Sequence, residues 1–317
     1  MAALSQSPII HRLLRVPPAY YVVALLLIVL WFTRPQLMNT NVMGIFIRQV
    51  VPLGILVIGQ LLVMRVRSID LSGAGVILLV NYFLSSGLLA ENAWGLHLSL
   101  ALITGTAIGL LNGVLVGVRR SSAVIVTLAV NILLIGAVQY LASGKPPGDV
   151  PDYLNALFNS RIGSIPTPIV FWVALSALMW LFLSRSVFGR YVDSVGENPT
   201  AAHFSGVPVA RTVVLAHTIA GLMAGIAALV QTSSIAVGSI RFGLDLPLNA
   251  VAATILGGVI FGRGEGGVWG PFFGVMSFAL LFVVMTSFGV QEPGKLVAQG
   301  VIILFAAIFY GLRMAKA

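Results

Sequence analysis

Ten stretches of this chain run for about twenty residues with almost no charge, and a helix needs about 20 apolar residues to cross the hydrocarbon layer of a bilayer. They cover roughly 17–33, 42–64, 69–90, 96–118, 122–142, 167–184, 212–233, 246–262, 267–288 and 295–312. The stretch 246–262 is short and rich in glycine, which makes it the least regular of the ten. The expected fold is therefore an all-α polytopic membrane protein of about ten transmembrane helices, one membrane domain over 1–317. Only 9% of the residues are charged, against about 25% in soluble domains, so lipid must cover much of the surface. The 34 glycines fit this view, because small residues let membrane helices approach closely.

The formal charge is +9, but the basic residues sit in short gaps between apolar runs rather than in a basic and aromatic patch, which excludes a nucleic-acid partner. They encode orientation instead. With the N-terminus inside, Arg12, Arg15, Arg65, Arg67, Arg119, Arg120, Arg185, Arg190, Arg211, Arg263, Arg313 and Lys316 fall on the cytoplasmic side. Arg34, Arg48, Lys145, Arg161, Arg241 and Lys295 fall outside, together with Glu91, Asp149, Asp152, Asp245 and Glu292. Twelve basic residues against six, and an even number of spans, place both termini inside. No small-residue cleavage site clearly follows the first run, so it is expected to be retained. There are no cysteines, which excludes disulfides, thiolate metal sites and cysteine nucleophiles.

Two connections are long. The outer one, 143–166, holds Gly144, Pro146, Pro147, Gly148, Pro151 and Pro166 and is expected to be irregular, with short helices at most. The inner one runs from Ser184 to Arg211. Spans 2–5 and 7–10 could form two halves of opposite orientation, a plan common among transporters.

Several chemistries are missing. No G-x-x-x-x-G-K-[ST] phosphate loop occurs, so any ATP must bind another subunit. Gly262-Arg263-Gly264-Glu265-Gly266-Gly267 satisfies G-x-G-x-x-G, but membrane spans flank it where a dinucleotide site needs a strand and a helix. His11, His97, His203 and His217 are scattered, and neither H-E-x-x-H nor G-x-S-x-G appears. Neither an enzyme nor a metal site is indicated, and no chain of buried acids, lysines and histidines suggests an ion pump.

Polar residues inside the spans are the candidates for a solute pathway. Asp70 opens the third span, either as a functional carboxylate or as a helix cap assisted by Ser72. Asn81, Asn112, Asn131, Gln139, Gln231 and Asn249 are amides that could bond solute hydroxyls or serve as interhelical glue. In the inner connection, Gly196-Glu197-Asn198-Pro199-Thr200-Ala201-Ala202-His203-Phe204-Ser205-Gly206-Val207-Pro208-Val209 reads as a short helix. Asn198 would cap it, Pro199 would open it, and Gly206 with Pro208 would end it. It is either a docking element, with His203 and Phe204 as anchors, or a passive surface loop.

At these residues the chain resembles the sugar-type permeases of bacterial binding-protein-dependent ABC importers, such as the ribose, galactose, arabinose and xylose systems. Four stretches carry the likeness: Ser68-Ile69-Asp70-Leu71-Ser72; Ser122 to Leu128, which includes Thr127; the loop 196–209; and Leu248-Asn249-Ala250-Val251-Ala252-Ala253 through Gly257-Gly258 to Gly270. In order and separation they cover roughly residues 45–312.

The resemblance implies a transmembrane subunit that moves a sugar-like solute into the cytoplasm by alternating access. It implies ABC ATPase subunits carrying ATP and Mg, an extracytoplasmic (periplasmic) solute-binding protein that meets outer loops 143–166 and 234–245, and a second permease protomer in a bacterial inner membrane. Gly196, Glu197, Asn198, Ala201, Ala202, His203, Phe204 and Gly206 would then form the cytoplasmic coupling helix seated in the ATPase. Asp70, Ser72, Asn81, Thr127, Asn131 and Asn249 would be pathway residues. The chain departs from the family pattern in Gly73-Ala74-Gly75 after its Asp-Leu-Ser motif and in Asn249, where Asp is common. The alternatives are a permease for another small polar solute, such as a nucleoside or amino acid, and an ion-coupled secondary transporter.

Overall fold

A computed structural model describes residues 16–90, 93–259 and 266–314. Arg12, Arg15, Glu91, Lys316 and most of the glycine turn from Gly262 to Glu265, with Arg263, lie outside the described residues.

Every apolar run yields a helix. In chain order these are α1 (Pro18–Thr33), α2 (Thr40–Gln49), α3 (Val51–Arg65), α4 (Gly73–Ser85), α5 (Trp94–Gly113), α6 (Ala123–Leu141), α7 (Asp152–Asn159), α8 (Thr167–Arg185), α9 (Val187–Glu197), α10 (Pro199–Phe204), α11 (Val209–Ile235), α12 (Leu246–Leu256), α13 (Trp269–Ser287) and α14 (Glu292–Met314). The chain is an all-α polytopic membrane protein. Among the described residues, five helices are long and apolar enough to cross a membrane: α5 with the π-turn Val114–Val118, α6, α8, α11 and α13. A sixth span is formed if α2 and α3, bent by 52°, count as one. The bend has a local cause: Pro52 opens α3 and cannot donate the helical hydrogen bond. α1, α4 and α12 are apolar but shorter than a full crossing, so ten apolar runs do not translate into ten simple rods.

The most extensive seam in the bundle lies between α5 and α11. Gly105, Gly109, Gly113 and Gly117 recur every four residues, so they form one stripe on their helix. A Cβ on Gly105 would sit 2.3 Å from the Gly221 carbonyl oxygen, and one on Gly109 would sit 2.3 Å from that of His217. Gly113 and Gly117 meet the Val214 and Ala210 carbonyls at 2.7 and 2.8 Å in the same way. Gly221 and Gly225 reciprocate from α11 against Gly105 and Ala101. Such backbone contact replaces the hydrophobic drive, which is weak between helices in lipid.

A second seam joins α12 to α13, where Gly270 and Gly274 rest against the carbonyls of Gly257 and Ala253. α3 and α11 form the central pair; α4 packs on α11 and α12 packs on α3. Gly59 of α3 meets the Ala220 backbone at that centre, and a Cβ there would lie 2.8 Å from the Ala220 Cα. α1 lies outside, against α13, with its own apolar cluster around Leu26, Leu30 and Leu280.

The long connections gather at opposite ends of α11. At one end α7 packs on its last turns, followed by a two-residue antiparallel hairpin, Arg161–Ile162 with Ile165–Pro166, that sequence reading did not anticipate. At the other end, α9 and α10 lead into its first turn.

Gly109→Leu should prevent recovery of folded protein, since overpacking a close-packed site costs about 1–3 kcal/mol or more. Gly136→Ala, where nothing lies within 4 Å, should leave the melting temperature within about a degree or two. Size-exclusion profiles and thermal unfolding of the two variants in detergent check the contrast.

Candidate functional site

The centre of the bundle holds two broken elements whose helices begin beside one another. The first is the non-helical segment 66–72 followed by α4. A helix start leaves backbone N–H groups without partners, and here side chains supply them. Thr127 Oγ1 accepts from Leu71 N at 3.0 Å, Asp70 Oδ1 from Ser72 N at 2.8 Å, and Asn131 Oδ1 from Gly75 N at 2.7 Å. Thr127 and Asn131 can act together because they stand one turn apart on α6.

Asp70 Oδ1 also accepts from the Ser72 hydroxyl at 2.6 Å, and Asn112 Nδ2 donates to Ser72 Oγ at 2.9 Å. Asp70 Oδ2 lies 3.7 Å from His217 Nδ1, and His217 Nε2 is 2.8 Å from Ser68 Oγ. All five polar residues are buried. A buried carboxylate is costly unless it is bonded and balanced. Asp70 Oδ1 is held at the start of α4, where the helix N-terminus favours negative charge.

The second broken element is 236–245 followed by α12. Expected as an outer loop, it instead runs antiparallel along α4. Gly238 abuts Ser85, Ser239 N donates to Asn81 Oδ1 at 2.7 Å, Gly243 lies against Ile77, and Pro247 reaches Gly73. Asn81 Nδ2 also donates to Thr232 Oγ1 at 3.3 Å, tying the segment to α4 and α11. α12 therefore begins where α4 begins. Between the two starts is a cavity of about 20 Å³ lined by Leu56, Gln60, Asp70, Gly73, Ala220, Ala224, Pro247 and Ala250. Gln60 Nε2 is buried there without a partner.

The other side of the descending segment is open. Arg241, Phe242, Leu244 and Asp245 are exposed. By its position beside α4, Asp245 lies about 15 Å below the end of that helix. Irregular backbone and charge at such a level are tolerated only where they face protein or a water-filled path. On this face Asn249 Nδ2 donates to Asp245 Oδ2 at 2.8 Å, and Gln299 of α14 donates to Asn249 Oδ1. The pathway candidates thus separate by environment. Asp70, Ser72, Asn81, Thr127 and Asn131 bond around the start and flank of α4, whereas Asn249, half-buried on α12, bonds Asp245 and the buried Gln299.

The segment 196–209 forms at the far end of α11. Ser186 caps α9 by accepting from Gly189 N at 3.0 Å, and a Cβ on Gly189 would lie 1.8 Å from the Leu183 carbonyl oxygen, so the corner admits only glycine. Val192, Val195 and Gly196 turn inward, and Asp193 pairs with Arg65 at the end of α3. Asn198 caps α10 through Oδ1, accepting from Thr200 N at 3.0 Å and Ala201 N at 3.1 Å. Gly206 ends it with a φ of +83°, a conformation that suits glycine. Gly196 and Ala202 are buried, while Glu197, Asn198, Ala201, His203, Phe204 and Gly206 are exposed. Phe204 is 84% exposed.

Sequence reading missed the glycine ladder of α5, although its fourfold spacing was available as a signal. It also missed the descent of 236–247. The only hint there was Asp245 and Pro247 at the start of an unusually short apolar run.

The family described as the branched-chain amino acid transport system permease component matches residues 42–307. The ribose import permease RbsC of Haemophilus influenzae is 25% identical over 94% of both chains, and RbsC of Bacillus subtilis is 29% identical over 90% of this chain and 89% of that one. The autoinducer 2 import system permease LsrD of Klebsiella pneumoniae is 28% identical over 82% of this chain and 79% of its own. No solved structure matches.

Asn131→Leu should strand the Gly75 N–H and destabilise the fold by about 1–3 kcal/mol, read as a lower melting temperature. Asn249→Leu, which strands only the flexible side-chain amide of Gln299 and an oxygen of the exposed Asp245, should cost less. Equal losses would show that the two amides share one role.

Proposed function

This chain belongs to the branched-chain amino acid transport system permease family, a multi-pass transport component rather than an enzyme, and from that membership we propose that it is the membrane subunit of an ATP-driven importer for a sugar-like solute. ATP and Mg would bind partner ATPase subunits, since this chain has no phosphate loop. An extracytoplasmic binding protein would deliver solute at the α7 end. Both termini and α10 would face the cytoplasm of a bacterial cell, in accord with the twelve-to-six bias of basic residues.

The observation that carries this reading is α10: a six-residue helix capped at both ends and presenting Phe204 almost wholly exposed beyond the bundle. An aromatic held rigidly in water costs free energy unless a partner buries it. Its position also suits transmission. α10 leads directly into α11, the helix that carries His217 beside Asp70, and α9 grips Arg65 at the foot of α3. ATPase closure would move α9 and α10, and with them the helices that flank both broken elements. The solute would pass along the open side of 236–249, where Arg241 and Asp245 are exposed, closed off by a second permease protomer. The sugar-like substrate is supported by the names of the ribose import relatives.

Phe204→Ala should weaken ATPase association about tenfold or more, as expected for an exposed aromatic anchor, with the melting temperature unchanged. ATP-dependent ribose uptake in vesicles carrying permease, ATPase and binding protein should fall in parallel. Normal uptake by Phe204→Ala together with Ala201→Trp would refute the coupling assignment. Uphill transport by this chain alone in vesicles would refute the importer reading itself.

A further inference from the structure

The cavity of about 20 Å³ between the starts of α4 and α12 is enclosed by eight residues, of which Gln60 and Asp70 alone carry polar side chains. Backbone packing keeps it open. One residue before Gln60, Gly59 of α3 already lies against Ala220 of α11, where a Cβ would sit 2.8 Å from the Ala220 Cα. The two helices therefore cannot draw closer to fill the space. Ala220 and Ala224 of α11 and Ala250 of α12 present only methyl groups to it.

Both polar residues have an atom to spare. Gln60 is 4% exposed, and its Nε2 is buried without a partner among the described residues. Asp70 Oδ1 accepts from the N–H and the hydroxyl of Ser72, but Oδ2 accepts no hydrogen bond among the described residues. The Nδ1 of His217 lies 3.7 Å from Oδ2, beyond hydrogen-bond reach. A donor without an acceptor and an acceptor without a donor thus border one space, and a buried amide in that condition costs stability.

The occupant must suit both groups. An anion would meet the Asp70 carboxylate, and a cation would meet the N–H groups of Gln60. Water accepts from one and donates to the other. A site for one water needs about 10–15 Å³ and two to four polar partners, and this cavity has the room for one molecule and partners for two of its bonds. We propose that it binds a single water, accepting from Gln60 Nε2 and donating to Asp70 Oδ2. The water ties α3 to the turn that opens α4, at the place where α12 also begins. The proposal does not depend on which solute the protein moves, or on whether it moves one.

Radiolytic oxidation of the full-length chain in detergent, read by mass spectrometry, tests it directly. Ionising radiation makes a hydroxyl radical from a water where it sits, and the radical oxidises the side chain beside it. Leu56 and Pro247, both buried on the cavity wall, should be oxidised well above the fully buried Leu62. Ala224→Val, which puts two more methyl groups in the cavity, should bring both down to the level of Leu62. If that variant does not fold, the unsubstituted chain and Gln60→Met decide. Gln60→Met keeps the size of the side chain but removes the donor, and should lower the melting temperature by about 2–4 °C. A dry cavity predicts the opposite sign, because the substitution would relieve an unsatisfied amide. Leu56 and Pro247 oxidised no more than Leu62, or Gln60→Met as stable as the unsubstituted chain or more so, would each overturn the proposal. So would a melting temperature that rises with sodium chloride but not with choline chloride, and no longer does so in Gln60→Met, since that would assign the site to a cation.

Discussion

The architecture depends on how closely α5 and α11 approach. With lipid outside and apolar side chains inside, burying leucine against leucine contributes little, so a membrane bundle must be held by close packing and by polar bonds. The ladder Gly105, Gly109, Gly113 and Gly117 brings two backbones into contact over four turns. Each glycine lies against a carbonyl of the partner helix, a geometry in which even a methyl group collides. This contact anchors α11, and α11 in turn holds α4 and α3 and carries α7 at one end and α10 at the other.

With α11 fixed, the centre can contain irregular backbone. The segments 66–72 and 236–245 leave the helical pattern where hydrocarbon would punish unsatisfied N–H groups. Each is stitched by side chains of neighbouring elements and of its own: Thr127 and Asn131 with Asp70 for the first, Asn81 with Ser239 for the second. The cost of burying Asp70 is offset by the bonds its Oδ1 accepts from Ser72. One hydrogen-bonded core thus places two half-helices start to start. Structures of this kind suit a gate, because short helices beside extended chain can shift without breaking a full-length span.

Much of this was legible in advance. All ten apolar runs are helical, the α10 cap reads directly from Asn198-Pro199, and its terminator from Gly206. The amides were recognised as polar groups within spans, with interhelical bonding and solute binding both open. What could not be read was the division between them. Asn131 and Asn249 look alike in sequence, yet one caps Gly75 at the start of α4 and the other links α12 to Gln299 of α14. That difference depends on neighbours fifty or more residues away.

The sequence by itself determined that this chain is a lipid-embedded helical bundle, where its charges interrupt the apolar runs, and where a short capped helix forms between them. These are local properties: hydropathy over twenty residues, charge in short gaps, and cap chemistry within one turn. Tertiary structure alone decided which face of each span meets protein and that 236–247 descends beside α4. The physical reason is the solvent. In water a helix shows its buried face by being apolar there and polar elsewhere, but in a bilayer both faces are apolar. Only glycine spacing and the partners of buried polar groups tell them apart.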